Sequence, residues 1–140
     1  MTATARTQGA APDGSTIDPA EVARFEGIAR TWWDPKGPMA VLHKFNPVRL
    51  AFIRDLACAR FGRDPKTIRS LDGLTLVDIG CGGGVLSEPL ARLGAQVTGL
   101  DPAPTNVAVA RAHAEAAGLV VDYRQETIEA LVAGGARYDI

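Results

Sequence analysis

Four glycines fall within five positions between Ile79 and Val85: Gly80, Gly82, Gly83 and Gly84, with Cys81 among them and Asp78 two residues ahead. Glycine is needed where a backbone must adopt positive φ or lie against a ligand, because it carries no Cβ. A plain strand-to-helix turn needs one or two, so packing alone accounts poorly for four. The spacing reads acidic-x-G-x-G-x-G, at Asp78, Gly80, Gly82 and Gly84. The dinucleotide fingerprint G-x-G-x-x-G would put its third glycine at position 85, which is Val85.

Charge separates the two patterns further. Pyrophosphate prefers a helix N-terminus free of negative charge, and Asp78 stands beside this one. S-adenosylmethionine has no phosphate and carries a sulfonium and an ammonium, so an acidic neighbour is tolerable to it. Gly80, Gly82 and Asp78 are therefore candidates to hold that cofactor, although Asp78 has an alternative role bonding local amides. Asp101 follows the glycines by about twenty residues, where nucleotide and adenosyl-ligand folds place an acid that accepts from ribose hydroxyls. It is equally placed to cap the helix after Pro102, and the two roles are compatible. Gln125-Glu126-Thr127 offers polar groups to an adenine edge, or a solvated loop. His43 is a candidate general base or a structural hydrogen-bonder, and His113 falls on a helix away from the strand tips. Trp32, Trp33 and Phe45 suit an apolar lid or simple helix packing.

The elements that must position these groups follow from periodicity. Asp18, Pro19 and Glu21 open a helix as cap, first position and capping-box partner. Val22, Phe25, Ile28, Ala29 and Trp32 continue it, and Pro35 ends it by Asp34. Asn46-Pro47 predicts the start of a second helix that ends near Gly62. From about Leu71 the rhythm becomes strand and helix in alternation: strand 74–79, short helix 85–93, strand 96–100, helix 104–117, strand 119–123, short helix 128–133, and a fourth strand opening at 138–140. Alternation of this kind implies a parallel sheet with helices on both faces. Ligands bind beyond the carboxyl ends of such strands, so the loops after Ile79, Leu100 and Tyr123 are the place to look. Residues 1–17 are rich in Ala, Thr, Gly and Ser and predict a disordered tail. Residues 18–70 form a helical segment, and 71–140 the N-terminal half of a Rossmann-like ligand-binding domain.

Composition bounds the function classes. The 140 residues suffice for one domain, and the formal net charge of -1 gives nucleic acid no basic footprint. No apolar run approaches the roughly 20 residues that span a bilayer. Cys58 and Cys81 lack metal-ligand or disulfide spacing and read as reduced thiols of a cytoplasmic protein.

Several segments carry a more specific resemblance. Phe25-Glu26, Trp32-Trp33-Asp34, Leu42-His43-Lys44-Phe45-Asn46-Pro47-Val48-Arg49, the glycine loop from Asp78, Val97-Thr98-Gly99-Leu100-Asp101 and Asp122-Tyr123-Arg124-Gln125-Glu126-Thr127 resemble the ubiquinone-biosynthesis O-methyltransferase family. It lies within the class I S-adenosylmethionine-dependent methyltransferases. The glycine loop indicates only that superfamily; the Trp-Trp-Asp and Leu-His-x-x-Asn-Pro-x-Arg segments are far narrower. The resemblance implies transfer of methyl groups to phenolic hydroxyls of polyprenylated quinone precursors, at two steps of ubiquinone assembly. Arg49 matches a family arginine at the cofactor, where a guanidinium fork suits the methionine carboxylate; Gly80 and Asp101 match cofactor contacts at the loop and the ribose. Other enzymes of ubiquinone biosynthesis are expected partners, and the lipid-soluble substrate implies a peripheral contact of the full-length enzyme with the inner membrane. Family members continue well past residue 140, which implies a fragment with poor stability and little activity alone. The absent half would carry strands four to seven and most of the substrate pocket.

Three rivals stay open on the sequence. A nicotinamide-dependent oxidoreductase would need the glycine that Val85 replaces. A methyltransferase of another small molecule is opposed only by the N-terminal segments. A non-catalytic binding module is compatible with the chain as it stands.

Overall fold

The computed structural model describes residues 18–140; the expected tail at 1–17 lies outside the described residues. Helix α1 spans Pro19–Ile28, and a 3-10 turn follows at Ala29–Thr31. Asp18 starts it as read, its Oδ1 accepting from the Ala20 amide at 2.9 Å. Helix α2 runs Ala40–Phe61. Strands β1 Thr75–Ile79, β2 Gln96–Leu100 and β3 Asp122–Arg124 alternate with helices α3 Ser87–Arg92, α4 Pro104–Ala116 and α5 Ile128–Ala133.

Two boundaries differ from the sequence reading. Helix α2 begins six residues before Asn46, so Pro47 sits inside it. Asn46 does not cap; its Nδ2 donates to the Val85 carbonyl at 2.8 Å and pins the helix to the far side of the glycine loop. A tertiary hydrogen bond has overridden a local signal. The third strand also sits later than 119–123. Its ladder with β2 pairs Thr98 with Asp122, Gly99 with Tyr123 and Leu100 with Arg124, leaving Val120 94% exposed.

The sheet is parallel in the order β1-β2-β3, with Thr75 opposite Gln96 and Ile79 opposite Leu100. Residues 138–140 lie along the free edge of β1. The Ile140 amide donates to the Thr75 carbonyl at 3.1 Å, and the Val77 amide donates to the Ile140 carbonyl at 3.1 Å, the bonding pattern of a parallel pair. Strand order therefore reverses at β1: β2 and β3 follow on one side of it, and the chain returns at 138–140 to its other side. Crevices at such a reversal, beyond the strand ends, are where open α/β sheets bind ligands.

One sheet face presents Leu76, Val97 and Tyr123, since paired residues of a parallel ladder share a side. Helices α2, α3 and α4 pack on that face. Ala57, Cys58, Leu71, Leu74, Leu76, Leu90, Ala95 and Val97 form one cluster, and Cys81, Val107, Ala110, Ala114 and Tyr123 a second. A third, of Ala29, Trp32, Met39 and Val85, docks the N-terminal segment beside the glycine loop. Trp33 adds to this docking: its ring stacks on His113 of α4 at 3.5 Å, and its Nε1 donates to the Gly83 carbonyl at 2.8 Å.

Leu71 is 0% exposed at the centre of the largest cluster, while nearby Ile68 is 86% exposed. Leu71→Ala should lower unfolding free energy by about 2–5 kcal/mol, and Ile68→Ala by no more than about 0.5 kcal/mol. Urea denaturation of the two variants checks the contrast.

Candidate functional site

The loop joining β1 to α3 is held from both ends. The amides of Gly80 and Cys81 both donate to the Leu100 carbonyl, at 2.8 and 2.9 Å, so the tip of β2 anchors the turn. The Gly82 amide donates to Asp101 Oδ2 at 3.0 Å, and the Gly84 amide to the Cys81 carbonyl at 3.0 Å. Gly80, Gly82 and Gly84 all take positive φ, at 72°, 56° and 88°, a region that costs any side-chain-bearing residue.

What each glycine faces divides them. A Cβ on Gly82 would lie 2.4 Å from the Trp32 ring, and one on Gly83 2.5 Å from Trp32 Cβ. A Cβ on Gly84 would meet the Tyr123 hydroxyl. At Gly80 a Cβ would meet nothing within 4 Å. Packing thus explains three of the four glycines, against the expectation that it could not, because the residues that demand them lie 50 positions upstream and 39 downstream. Gly80 is the member whose bare Cα borders open space.

Asp78 stands at the penultimate position of β1, on the helix-covered face. Ser87 at the start of α3 donates its hydroxyl to Asp78 Oδ2 at 2.6 Å, so its local partner is a hydroxyl and not the backbone amides considered above. Burial pushes the Asp78 carboxyl above its ordinary value; the Ser87 hydrogen bond and the positive charge of Arg49 pull it down, and the negative charge of Asp101 pushes it up. Arg49 is exposed on α2, and its field reaches Asp78. The structure therefore brings Asp78, Arg49, Asp101, Gly80 and Gly82 to the same end of the sheet.

Asp101 is buried at the tip of β2. Its Oδ1 accepts from the Ala103 amide at 2.9 Å and from Asn106 Nδ2 at 3.2 Å, and its Oδ2 from Gly82. The capping role is real: Ala103 leads into α4. A carboxylate offers about four lone-pair positions, so three donors leave Oδ2 able to accept one more. Gln125 reaches the same neighbourhood, its Nε2 donating to the Pro102 carbonyl at 3.4 Å. Thr127 is committed elsewhere, capping α5 through the Ala130 amide at 3.1 Å.

The remaining candidates divide between packed and exposed positions. His43 Nε2 lies 2.7 Å from the Trp32 carbonyl; a carbonyl only accepts, so that nitrogen carries the proton and donates. Trp32 and Trp33 are used in packing, while Phe45 is exposed on α2. Burial raises the Cys81 thiol and the Tyr123 hydroxyl well above their usual values, which keeps both neutral. Sequence reasoning missed Ser87, Asn106 and Tyr123 as partners of the site. Asn106 had one available signal, a buried-face amide in the first turn after Asp101.

The raised Asp78 value fixes the sign of a pH effect. Asp78 favours the folded state below the ordinary value of 3.8, and that contribution is lost as pH rises through the folded value. Asp78→Asn, which can still accept from Ser87, should raise the urea midpoint at pH 7 relative to wild type, with the gain vanishing below about pH 3.8.

Comparison with known proteins identifies the chain's relatives. Residues 76–140 match the methyltransferase domain family. The chain is 72% identical over 130 residues to a ubiquinone biosynthesis O-methyltransferase of Methylobacterium sp. (strain 4-46), covering 93% of this chain and 52% of that protein. It is 58% identical over 126 residues to the protein of the same name in Azorhizobium caulinodans, covering 90% and 50%. The chain thus spans about half the length of the curated relatives it matches. Among solved structures, a magnesium protoporphyrin IX methyltransferase from Synechocystis PCC 6803 with bound S-adenosylmethionine shares the fold, with 22% identity, a TM-score of 0.54, and coverage of 81% of this chain and 56% of that one. The 16S rRNA N2 G1207 methyltransferase of T. thermophilus, solved with S-adenosylmethionine and guanosine, gives 26% identity, a TM-score of 0.50, and coverage of 64% and 23%. With its parallel sheet, its Asp78 glycine loop and a match over 90–93% of its own length to relatives of one name, the chain belongs to the ubiquinone biosynthesis O-methyltransferase family.

Proposed function

We propose that the protein carrying this chain transfers the methyl group of S-adenosylmethionine to phenolic hydroxyls of polyprenylated quinone precursors, and that residues 71–140 supply its cofactor-binding half. The observation that carries the reading is where the loop amides go. Gly80, Cys81, Gly82 and Gly84 all spend their N–H groups on protein acceptors. A pyrophosphate is held by free N–H groups of a glycine loop, and this loop has turned those four inward. A ligand that needs bare main chain and an acidic sugar-binding group suits it better, as Val85 in place of the third fingerprint glycine already suggested.

The residues present fit an adenosyl ligand. Gly80 gives it an open Cα surface. Asp101 has an acceptor position left for a ribose hydroxyl. Arg49 and Asp78 offer opposite charges to the carboxylate and ammonium of a methionine group, and the Ser87 hydrogen bond and Arg49 both favour the charged form of Asp78 against its burial. The bound cofactor would supply an electrophilic methyl on sulfonium. The chain contributes alignment, and with Cys81 held as a neutral thiol it exposes no thiolate to compete for that methyl. His43 donates its Nε2 proton to the Trp32 carbonyl, which fixes the orientation of its ring.

The apolar substrate suits the exposed stripe Val41, Phe45, Val48, Phe52 and Leu56 on α2, which passes beside Arg49. Peripheral contact with a membrane, and contact with other enzymes of the same pathway, belong to this proposal through the substrate's solubility in lipid. No helix among the described residues is long and apolar enough to cross a membrane.

Calorimetric titration of the intact protein should give saturable heat with S-adenosylmethionine and none with NAD. Asp101→Ala should weaken that binding by about 10-fold or more, the worth of a hydrogen bond to a charged group. Heat with NAD alone, or an unchanged affinity in Asp101→Ala, contradicts the proposal.

A further inference from the structure

The Trp-Trp segment reaches the end of β2 through a single buried amide. Trp32 Nε1 donates to Asn106 Oδ1 at 2.9 Å, and Asn106 Nδ2 donates to Asp101 Oδ1 at 3.2 Å. All three residues are buried. The chain of donors crosses 74 positions of sequence in its first link and 5 in its second.

The chemistry of the amide gives this relay a direction. An asparagine has an acceptor end and a donor end, and the two exchange by a half-turn about one bond. An indole N–H only donates, so it can bond only the carbonyl end. With Trp32 holding Oδ1, Nδ2 is obliged to face Asp101. Without that N–H the buried Oδ1 loses its donor, and the amide is held only at its Nδ2 end, no longer fixed from both sides. The Asp101 carboxylate would then keep its backbone donors, Ala103 and Gly82, while the side-chain donor that fixes the orientation of Oδ1 is loosened. Since Oδ1 and Oδ2 move together, the acceptor position left on Oδ2 moves too.

We propose that Trp32, acting through Asn106, is a positioning residue that orients the Asp101 carboxylate and so sets the preference of the site for a ribose over a deoxyribose. The inference rests on the adenosyl reading given above. Trp32 touches the loop as well, lying against Gly82 and Gly83, and its bulk therefore has a packing role distinct from its N–H. Phenylalanine keeps an aromatic ring in that place and removes the donor.

The test is calorimetric titration of the intact protein with S-adenosylhomocysteine and with its 2′-deoxyribose analogue. In wild type the ribose form should bind more tightly. Trp32→Phe should weaken the ribose form by about 10-fold and the deoxy form by no more than about 2-fold, so that discrimination collapses. Asn106→Ala, which removes the second link and leaves the Trp32 ring untouched, should do the same, and it carries the test if Trp32→Phe does not fold. Equal weakening of both ligands would mean a packing role only and overturn the proposal, as would unchanged discrimination in either variant. Asp101→Ala separates the two levels of argument. If it weakens the ribose form while Trp32→Phe and Asn106→Ala keep full discrimination, the relay is wrong and the adenosyl reading stands. If Asp101→Ala changes nothing, the adenosyl reading itself fails.

Discussion

A single buried carboxylate ties the described parts of this molecule together. Asp101 receives the Gly82 amide from the loop after β1, the Ala103 amide from the entry to α4, and the Asn106 side chain, which in turn receives Trp32 from the N-terminal segment. A buried charge is tolerated only when its lone pairs are met, so each of these segments must be in place for the others to be stable there. The same requirement leaves the carboxylate at the tip of the sheet with one position for a donor from outside.

The glycine loop shows how packing and binding can share a motif. Gly82, Gly83 and Gly84 are small because Trp32 and Tyr123 lie against them. Gly80 is small while facing open space, and its positive φ suits glycine independently of any ligand. Only the last is free to serve a ligand by its bareness alone. The loop spends its amides on Leu100 and Asp101, and this sets it apart from loops that cradle phosphate. Charge follows the same logic: Asp78, Arg49 and Asp101 collect where strand order reverses at β1, and the groups that could react with an electrophile, Cys81 and Tyr123, are kept neutral by burial.

Much of this was legible in the residues. The acidic-x-G-x-G-x-G spacing and Asp101 fall at the carboxyl ends of β1 and β2 as read, and β1, β2, α4 and α5 lie within a residue or so of where periodicity put them. The failures have physical causes. Asn46-Pro47 looks like a helix start, yet Asn46 bonds to Val85 across 39 positions, and no local pattern reports that. The segment 119–123 has the composition of a strand, but pairing with β2 begins only at Asp122. Asn106 and Ser87 were invisible as partners because ordinary polar residues early in a helix carry no mark of what they touch.

The account is tested most directly by a crystal structure of the intact protein with S-adenosylhomocysteine bound. It predicts a ribose hydroxyl within hydrogen-bond distance of Asp101 Oδ2, the ligand against the Cα of Gly80, and the amides of Gly80, Cys81 and Gly82 still donated to Leu100 and Asp101. A ligand seated away from the tip of β2, or a loop whose amides have turned outward to hold it, would contradict the account.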